Sequence, residues 1–315
     1  MKKLGTKHFL TGEELTRNEI HELVLSAIAL KTDRKKGELK PYLKDKTLAA
    51  IFEKPSLRTR VSFTVAMNEL GGNVVETLST TSKKEEPEDV ARVLAGYCHG
   101  IMYRTFDHAT LDRMVSKSPI PVINGLSDTH HPCQVLADLM ALKEHFGELE
   151  KLTLTYIGDG NNMLHSILLL MPFMGVNVRY ACPKGYEPNS FIVKKAKARA
   201  KEGGGSIQAF TDALEAAKGA NAIYTDVWTS MGFENQSDER ETAFENYQVN
   251  ETVVAQAAKN AVLMHCMPMV RGKEISESLC ESPNALWFQQ SENRMHVQKA
   301  LMIGLMSEAK SGSAI

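Results

Sequence analysis

Several stretches of this 315-residue chain combine reactive residue types with places where a fold would gather them. Ser56, Leu57, Arg58, Thr59 and Arg60 fall between an apolar run, Thr47–Phe52, and a helical pattern carrying Val61, Val65, Met67 and Leu70. Where a strand hands over to a helix, free backbone N–H groups and the positive end of the helix dipole converge. The hydroxyls of Ser56 and Thr59 and the guanidinium groups of Arg58 and Arg60 add to them, giving a pocket for a small, doubly charged oxyanion such as phosphate. The plainer alternative is an N-capped surface helix with solvated arginines, and this stretch alone leaves both open.

Further along, Arg104 ends a predicted strand, and Asn124 to Gln134 leads from another into a helix. A lone His131 is usually structural. In His131-Pro132-Cys133-Gln134, however, an imidazole and an amide lie together at a helix start, where they could polarise a carbonyl. Asp226 closes a strand ahead of Val227-Trp228-Thr229-Ser230-Met231-Gly232, and by itself would be an ordinary turn cap. Cys266, in His265-Cys266-Met267-Pro268, would by itself be inert core. Gly158-Asp159-Gly160 invites a dinucleotide reading, but Met163 stands where the third glycine belongs. Cys182-Pro183 likewise stands where the ribose-binding acid belongs, so an oxidoreductase is disfavoured.

The elements that must hold these residues alternate. A helical pattern over residues 12–31 precedes strands at Thr47–Phe52, Asn73–Leu78, Ile101–Arg104 and Pro121–Asn124, with helices near Pro87–Tyr97, Thr110–Ser116 and Pro132–Phe146. Gly71-Gly72 stops the helix after Arg58. A second series follows, with strands at Leu152–Ile157, Val176–Cys182, Ser206–Phe210, Ala222–Asp226, Ala261–His265 and Ala285–Phe288, and a last helix over Ser291–Met306. Such alternation implies parallel sheets covered on both faces. The chain reads as two doubly wound α/β domains, residues 1–146 and 151–290, with a C-terminal helix long enough to return to the first. Folds of this kind bind ligands at the carboxyl ends of their strands.

Composition narrows the class. With 43% hydrophobic and 24% charged residues, the sequence is that of a soluble globular protein. A net charge of −1 and a pI near 6.8 give no field to recruit nucleic acid or an anionic membrane. The apolar run Ile167–Val176 is too short to span a bilayer and contains Pro172. The N-terminal residues lack the apolar core of a signal peptide. Five scattered cysteines without a Cys-x-x-Cys pair point to reduced thiols in a cytoplasmic protein, not to a disulfide framework or a zinc site.

Ser56-Leu57-Arg58-Thr59-Arg60, His131-Pro132-Cys133-Gln134, Asp226 to Gly232, His265-Cys266-Met267-Pro268 and Ser291-Glu292-Asn293-Arg294 occur in an order that resembles the aspartate/ornithine carbamoyltransferase family, over nearly the whole chain. The resemblance implies transfer of a carbamoyl group from carbamoyl phosphate to the side-chain amine of L-ornithine, giving citrulline and phosphate. It places the active site in a cleft between the domains. It implies a carbamoyl-phosphate site of Ser56, Leu57 (through its N–H), Arg58, Thr59, Arg104, His131, Gln134, Cys266, Met267 and Arg294, with Arg58, Arg104, His131 and Cys266 as catalytic groups. Asn162 would hold the ornithine carboxylate, and Asp226, Ser230 and Met231 its amino end, an acid suiting an ammonium because the pair is charge-assisted. No enzyme nucleophile, metal or organic cofactor is needed. The family's usual assembly is a homotrimer, or a multiple of trimers, with shared sites.

The chain departs from the family pattern at Leu57, where threonine is usual, at Met267, at Gln289-Gln290, and at a shortened segment Leu78–Pro87. In that segment Lys83 or Lys84 would have to complete a neighbouring site. A carbamoyltransferase acting on putrescine or an acylated ornithine, and a non-catalytic relative of the family, are the rival readings. The Ser230-Met231-Gly232 loop favours ornithine.

Overall fold

The structure is a computed structural model that describes residues 2–78, 85–229 and 237–307. Lys83, Lys84, Ser230 and Met231, which the sequence assigns to the site, lie outside the described residues. The chain divides into two compact units, residues 1–140 with 292–315 and residues 141–291.

The first unit opens with α1 (Arg17–Lys35). It begins later than its apolar pattern because Thr16 and Glu19 form a reciprocal capping box, which leaves buried Leu15 ahead of the helix. Then follow β1 (Thr47–Phe52), α2 (Leu57–Glu69), β2 (Asn73–Leu78), α3 (Pro87–Ala95), β3 (Gly100–Arg104), α4 (His108–Lys117), β4 (Val122–Leu126) and α5 (Pro132–Phe146), whose residues from Ala141 on belong to the second unit. The four strands form a parallel sheet in the order β2-β1-β3-β4. β1 is apolar almost throughout and buried because it lies inside the sheet with helices beside it. Ala49, Ile51, Ile101, Tyr103 and Val122 from the strands pack with Ala91, Leu111 and Met114 from α3 and α4. α2 buries Thr59, Phe63, Ala66 and Met67, whereas Val61, expected to pack, is 49% exposed.

The second unit runs β5 (Thr153–Ile157), α6 (Asn162–Leu170), β6 (Asn177–Ala181), α7 (Ser190–Gly203), β7 (Ser206–Phe210), α8 (Ala213–Ala217), β8 (Ala222–Thr225), α9 (Ser237–Phe244), α10 (Glu251–Val254) and β9 (Val262–His265). Its parallel sheet has the order β7-β6-β5-β8-β9. The strand expected at Ala285–Phe288 does not form. Ala285 makes a lone bridge to Leu263, and α11 (Trp287–Met306) starts at Trp287, four residues before its expected start. Trp287 is buried in the second unit's core, while α11 from Glu292 onward belongs to the first unit.

Both sheets reverse direction of winding at one place. In the first, β1 is followed outward by β2 on one side and by β3 on the other; in the second, β5 is flanked in the same way by β6 and β8. The exits of β1 and β3, and of β5 and β8, are therefore topological switch points, where doubly wound sheets open a crevice for ligands.

Candidate active site

At the first unit's switch point the chain leaves β1 and starts α2 with Ser56 as N-cap, its hydroxyl accepting the Thr59 N–H at 3.3 Å. Leu57 is the first helical residue and 75% exposed, so it offers the site only its backbone N–H. Arg294 of α11 is buried and donates from Nη2 to the Thr59 hydroxyl at 2.8 Å, which ties the last helix to the loop. Arg104 ends β3, also buried. Glu53 fixes this end of the sheet, since its N–H donates to the Arg104 carbonyl while its carboxylate accepts from the Tyr103 hydroxyl, the Thr105 hydroxyl and the Phe106 N–H.

Arg60 was expected in the anion pocket beside Arg58. It instead pairs with Glu76 of β2 at 2.9 Å and lies over the Phe52 ring. Two residues on from Arg58, a helix turns the side chain about 200° away, so the two arginines cannot face the same spot.

His131 and Gln134 come from the next strand exit. Asn124 of β4 donates to the Leu10 carbonyl, and the Ser127 and His130 backbones bond each other, which pins the turn that delivers His131 to Pro132 at the first position of α5. Burial, and after it the charges of Arg294, Arg104 and Arg58, push the His131 imidazole well below its ordinary value. The ring is therefore neutral at pH 7 and can give a hydrogen bond without adding another cation. Gln134 is buried and anchored by its Nε2 on Asp138 at 2.8 Å.

The second unit's switch point has the opposite chemistry. β5 ends at Gly158-Asp159-Gly160, and a side chain at Gly160 would drive into the Glu187–Pro188 backbone at 2.3 Å. Asn161 caps α6 and donates from Nδ2 to Asp226 Oδ2 at 2.8 Å. Asp226, buried at the exit of β8, also accepts from the Cys266 thiol at 3.0 Å and from the Val227 N–H at 2.8 Å. Asn162, assigned the carboxylate from sequence, is the first residue of α6; the amide that meets Asp226 belongs to its neighbour Asn161.

Arg240 of α9 donates to Asp159 Oδ2 and to the Trp228 carbonyl, bridging the two exits. Burial outweighs that guanidinium and lifts Asp159 to about 6.

His265-Cys266-Met267-Pro268 leaves β9 with Met267 at φ +57°, a conformation costly for a residue with a side chain. Its support is a fully buried pair: His265 Nδ1 accepts the Met267 N–H at 2.8 Å, while Nε2 meets Glu274 Oε1 at 3.0 Å. Asp226, His265 and Cys266 each bring one possible metal-ligand atom within 4.8 Å of the others. Both ring nitrogens of His265 are already engaged and the thiol donates to Asp226, so these groups form a hydrogen-bonded network in place of an open metal site.

Sequence spacing located the groups at the strand exits. It missed Glu53, Asp138, Asn161, Arg240 and Glu274, which hold them. Asn161 carried a readable signal, an amide at the position before a helix. The others act on partners distant in sequence or a helical turn away, with no local pattern to mark them.

Fold and site together define a two-unit, doubly wound α/β protein, with a cluster of arginines at a capped helix start at one switch point and an acid–thiol–amide group at the other. The family model described as the aspartate/ornithine carbamoyltransferase carbamoyl-P binding domain matches residues 7–144, and the model of the Asp/Orn binding domain matches residues 150–305. The chain is 45% identical to the ornithine carbamoyltransferase of Anoxybacillus flavithermus, over 96% of this chain and 98% of that one. It is 46% identical to that of Methanosarcina mazei, over 94% and 98%. The solved ornithine carbamoyltransferase of Pyrococcus furiosus superposes with a TM-score of 0.93 at 40% identity, covering 97% of this chain and 99% of that one. The chain belongs to the aspartate/ornithine carbamoyltransferase family.

Proposed function

We propose that this chain transfers the carbamoyl group of carbamoyl phosphate to the side-chain amine of L-ornithine, releasing citrulline and phosphate. The observation that carries the reading is Arg294 bonded to Thr59 beside an N-capped helix start, with Arg104 and His131 buried at the neighbouring strand exits of the same unit.

In this reading Ser56, Arg58, Thr59, Arg294 and the Leu57 N–H hold the phosphate. Arg104 and His131 donate to the carbamoyl oxygen, which becomes negative as the amine adds. Gln134 takes the carbamoyl amide, and Cys266 and Met267 border the reacting nitrogen. The uncharged amine of ornithine attacks the carbamoyl carbon, and the C–O bond to phosphate then breaks. The pair of electrons leaves on phosphate, already paired with guanidinium groups, and the departing phosphate takes the proton that the attacking nitrogen sheds. Donors preset at the developing oxyanion are worth about 3 kcal/mol each in rate. Asp226 and Cys266 orient the amine, Asn162 takes the amino-acid carboxylate, and Ser230 and Met231 complete the contacts to its amino end. Direct attack requires no metal or organic cofactor.

A homotrimer is the assembly we propose. Leu57 and Val61, one helical turn apart and 75% and 49% exposed, together with Val75 on the edge strand β2, supply apolar surface for another copy. A cytoplasmic location accords with five free, buried cysteines.

The deciding experiment is a citrulline assay with carbamoyl phosphate against ornithine, putrescine and N-acetylornithine. Ornithine-dependent product that disappears in Arg58→Ala supports the reading. Turnover confined to another amine reassigns the substrate. Binding of carbamoyl phosphate without turnover of any amine makes the chain a non-catalytic relative.

A further inference from the structure

Gln134 sits in the first turn of α5, and Asp138 lies one turn further along the same face. Both side chains are buried, 1% and 0% exposed. Gln134 Nε2 donates to Asp138 Oδ1 at 2.8 Å, while Gln134 Oε1, also buried, has no hydrogen-bond partner among the described residues. An amide carries one accepting and one donating end, and nothing in its shape decides which way round it sits. A carboxylate can only accept. Asp138 therefore turns the nitrogen of Gln134 toward itself and leaves the oxygen as the free end.

Buried acceptors without a partner are uncommon and costly. This one belongs to the same turn as His131 and so to a site otherwise made of donors: guanidinium groups, a hydroxyl and backbone N–H groups. The carbonyl and phosphate oxygens of an acyl phosphate call for such donors. Only an acyl group bearing an N–H calls for an acceptor as well.

We infer that Asp138 is a positioning residue which, by fixing the orientation of the Gln134 amide, makes this site select an acyl phosphate bearing –NH2 over the isosteric one bearing –CH3. The inference rests on the carbamoyl-phosphate reading above. Against a methyl group, Gln134 Oε1 stays unsatisfied, and a site built around a hydrogen bond rejects a ligand that lacks it far more strongly than an apolar pocket rejects a misfit. With Asp138→Asn, the facing side chain can donate as readily as accept, Gln134 is free to reverse, and the preference falls.

The test is calorimetric and independent of turnover. Phosphonoacetamide and 2-oxopropylphosphonate, a stable amide and its methyl ketone counterpart, are titrated into the full-length protein and into Asp138→Asn, with inorganic phosphate as the control. The wild type should prefer the amide by at least about tenfold. In Asp138→Asn that preference should shrink about tenfold through weaker amide binding, with phosphate affinity retained. Equal binding of the two phosphonates by the wild type overturns the inference without recourse to any variant. So does an unchanged preference in Asp138→Asn, or a parallel loss of both phosphonates and phosphate, which would mark Asp138 as a structural group only. A wild type that binds none of these ligands removes the carbamoyl-phosphate reading itself, and this inference with it.

Discussion

The two units share one wiring and differ in charge. Each winds outward in both directions from a central strand, β1 or β5, and gathers polar groups where the winding reverses. In the first unit those groups are Arg58, Arg104, Arg294, His131 and the start of α2. In the second they are Asp226, Cys266 and Asn161. Sheet topology thus sets where a ligand goes, and the side chains at the strand exits set what it is. In the proposed reading the acyl phosphate goes with the first set and the amine with the second. The helix start of α2 is the one proposed to take an anion, while the corresponding start of α6 is capped by Asn161, whose amide turns to a carboxylate.

The most damaging change to this contrast is Arg58→Ala. Citrulline formation should fall about 10²–10³-fold, and calorimetry should show carbamoyl phosphate binding lost with ornithine-side groups intact. Asp226→Asn attacks the other half. It should cost roughly 2–3 kcal/mol in ornithine recognition, read as kcat/KM for ornithine, and leave the Kd for carbamoyl phosphate unchanged. A drop in both would mean the two sets do not divide the substrates as proposed.

Glu274→Ala is a smaller, structural test confined to the second unit. It removes the acceptor for His265 Nε2 and the Val270 N–H and should lower stability by roughly 1–3 kcal/mol. Glu274→Gln, which keeps an acceptor, should lose less; thermal melts of the two variants check this.

The last test is pH dependence, where the units should run in opposite directions. His296 of the first unit is pushed down to about 4 by burial and then by Lys299. Its folded form resists the proton that the unfolded chain takes up near 6.5, so this contribution is complete above pH 6.5. It is lost toward pH 4, at no more than about 1.4 kcal/mol per pH unit. Asp159 of the second unit is lifted to about 6 from 3.8, so its folded form holds a proton the unfolded chain gives up. That contribution is present below 3.8 and lost as pH rises through 6. Denaturation of His296→Gln and Asp159→Asn at pH 4.5, 5.5 and 7 should flatten one slope each, of opposite sign.

Much of this was legible in the sequence because it is local. β1, β2, β7 and α5 fall on their expected residues, since an apolar run, or a proline opening a helical pattern, is self-contained information. Ala285–Phe288 misled because four apolar-rich residues next to an apolar strand look alike whether they pair or start a helix; Trp287 resolves it by entering the second core from the first turn of α11. Arg60 misled because one-letter proximity to Arg58 says nothing of helical phase. The partners of the reactive groups were invisible for a different reason. Thr59 meets Arg294 from 235 positions away, and Asp226 meets Asn161 from 65, contacts that only a closed fold creates.

A single titration bears most directly on the division of labour between the units: calorimetry with a bisubstrate phosphonate in which a carbamoyl-phosphate mimic is joined to the side-chain nitrogen of ornithine. The wild type should bind it tightly and gain thermal protection, and Arg58→Ala and Asp226→Asn should each weaken it separately. A wild-type protein that gives neither heat nor protection contradicts the pairing of an anion cradle with an amine site.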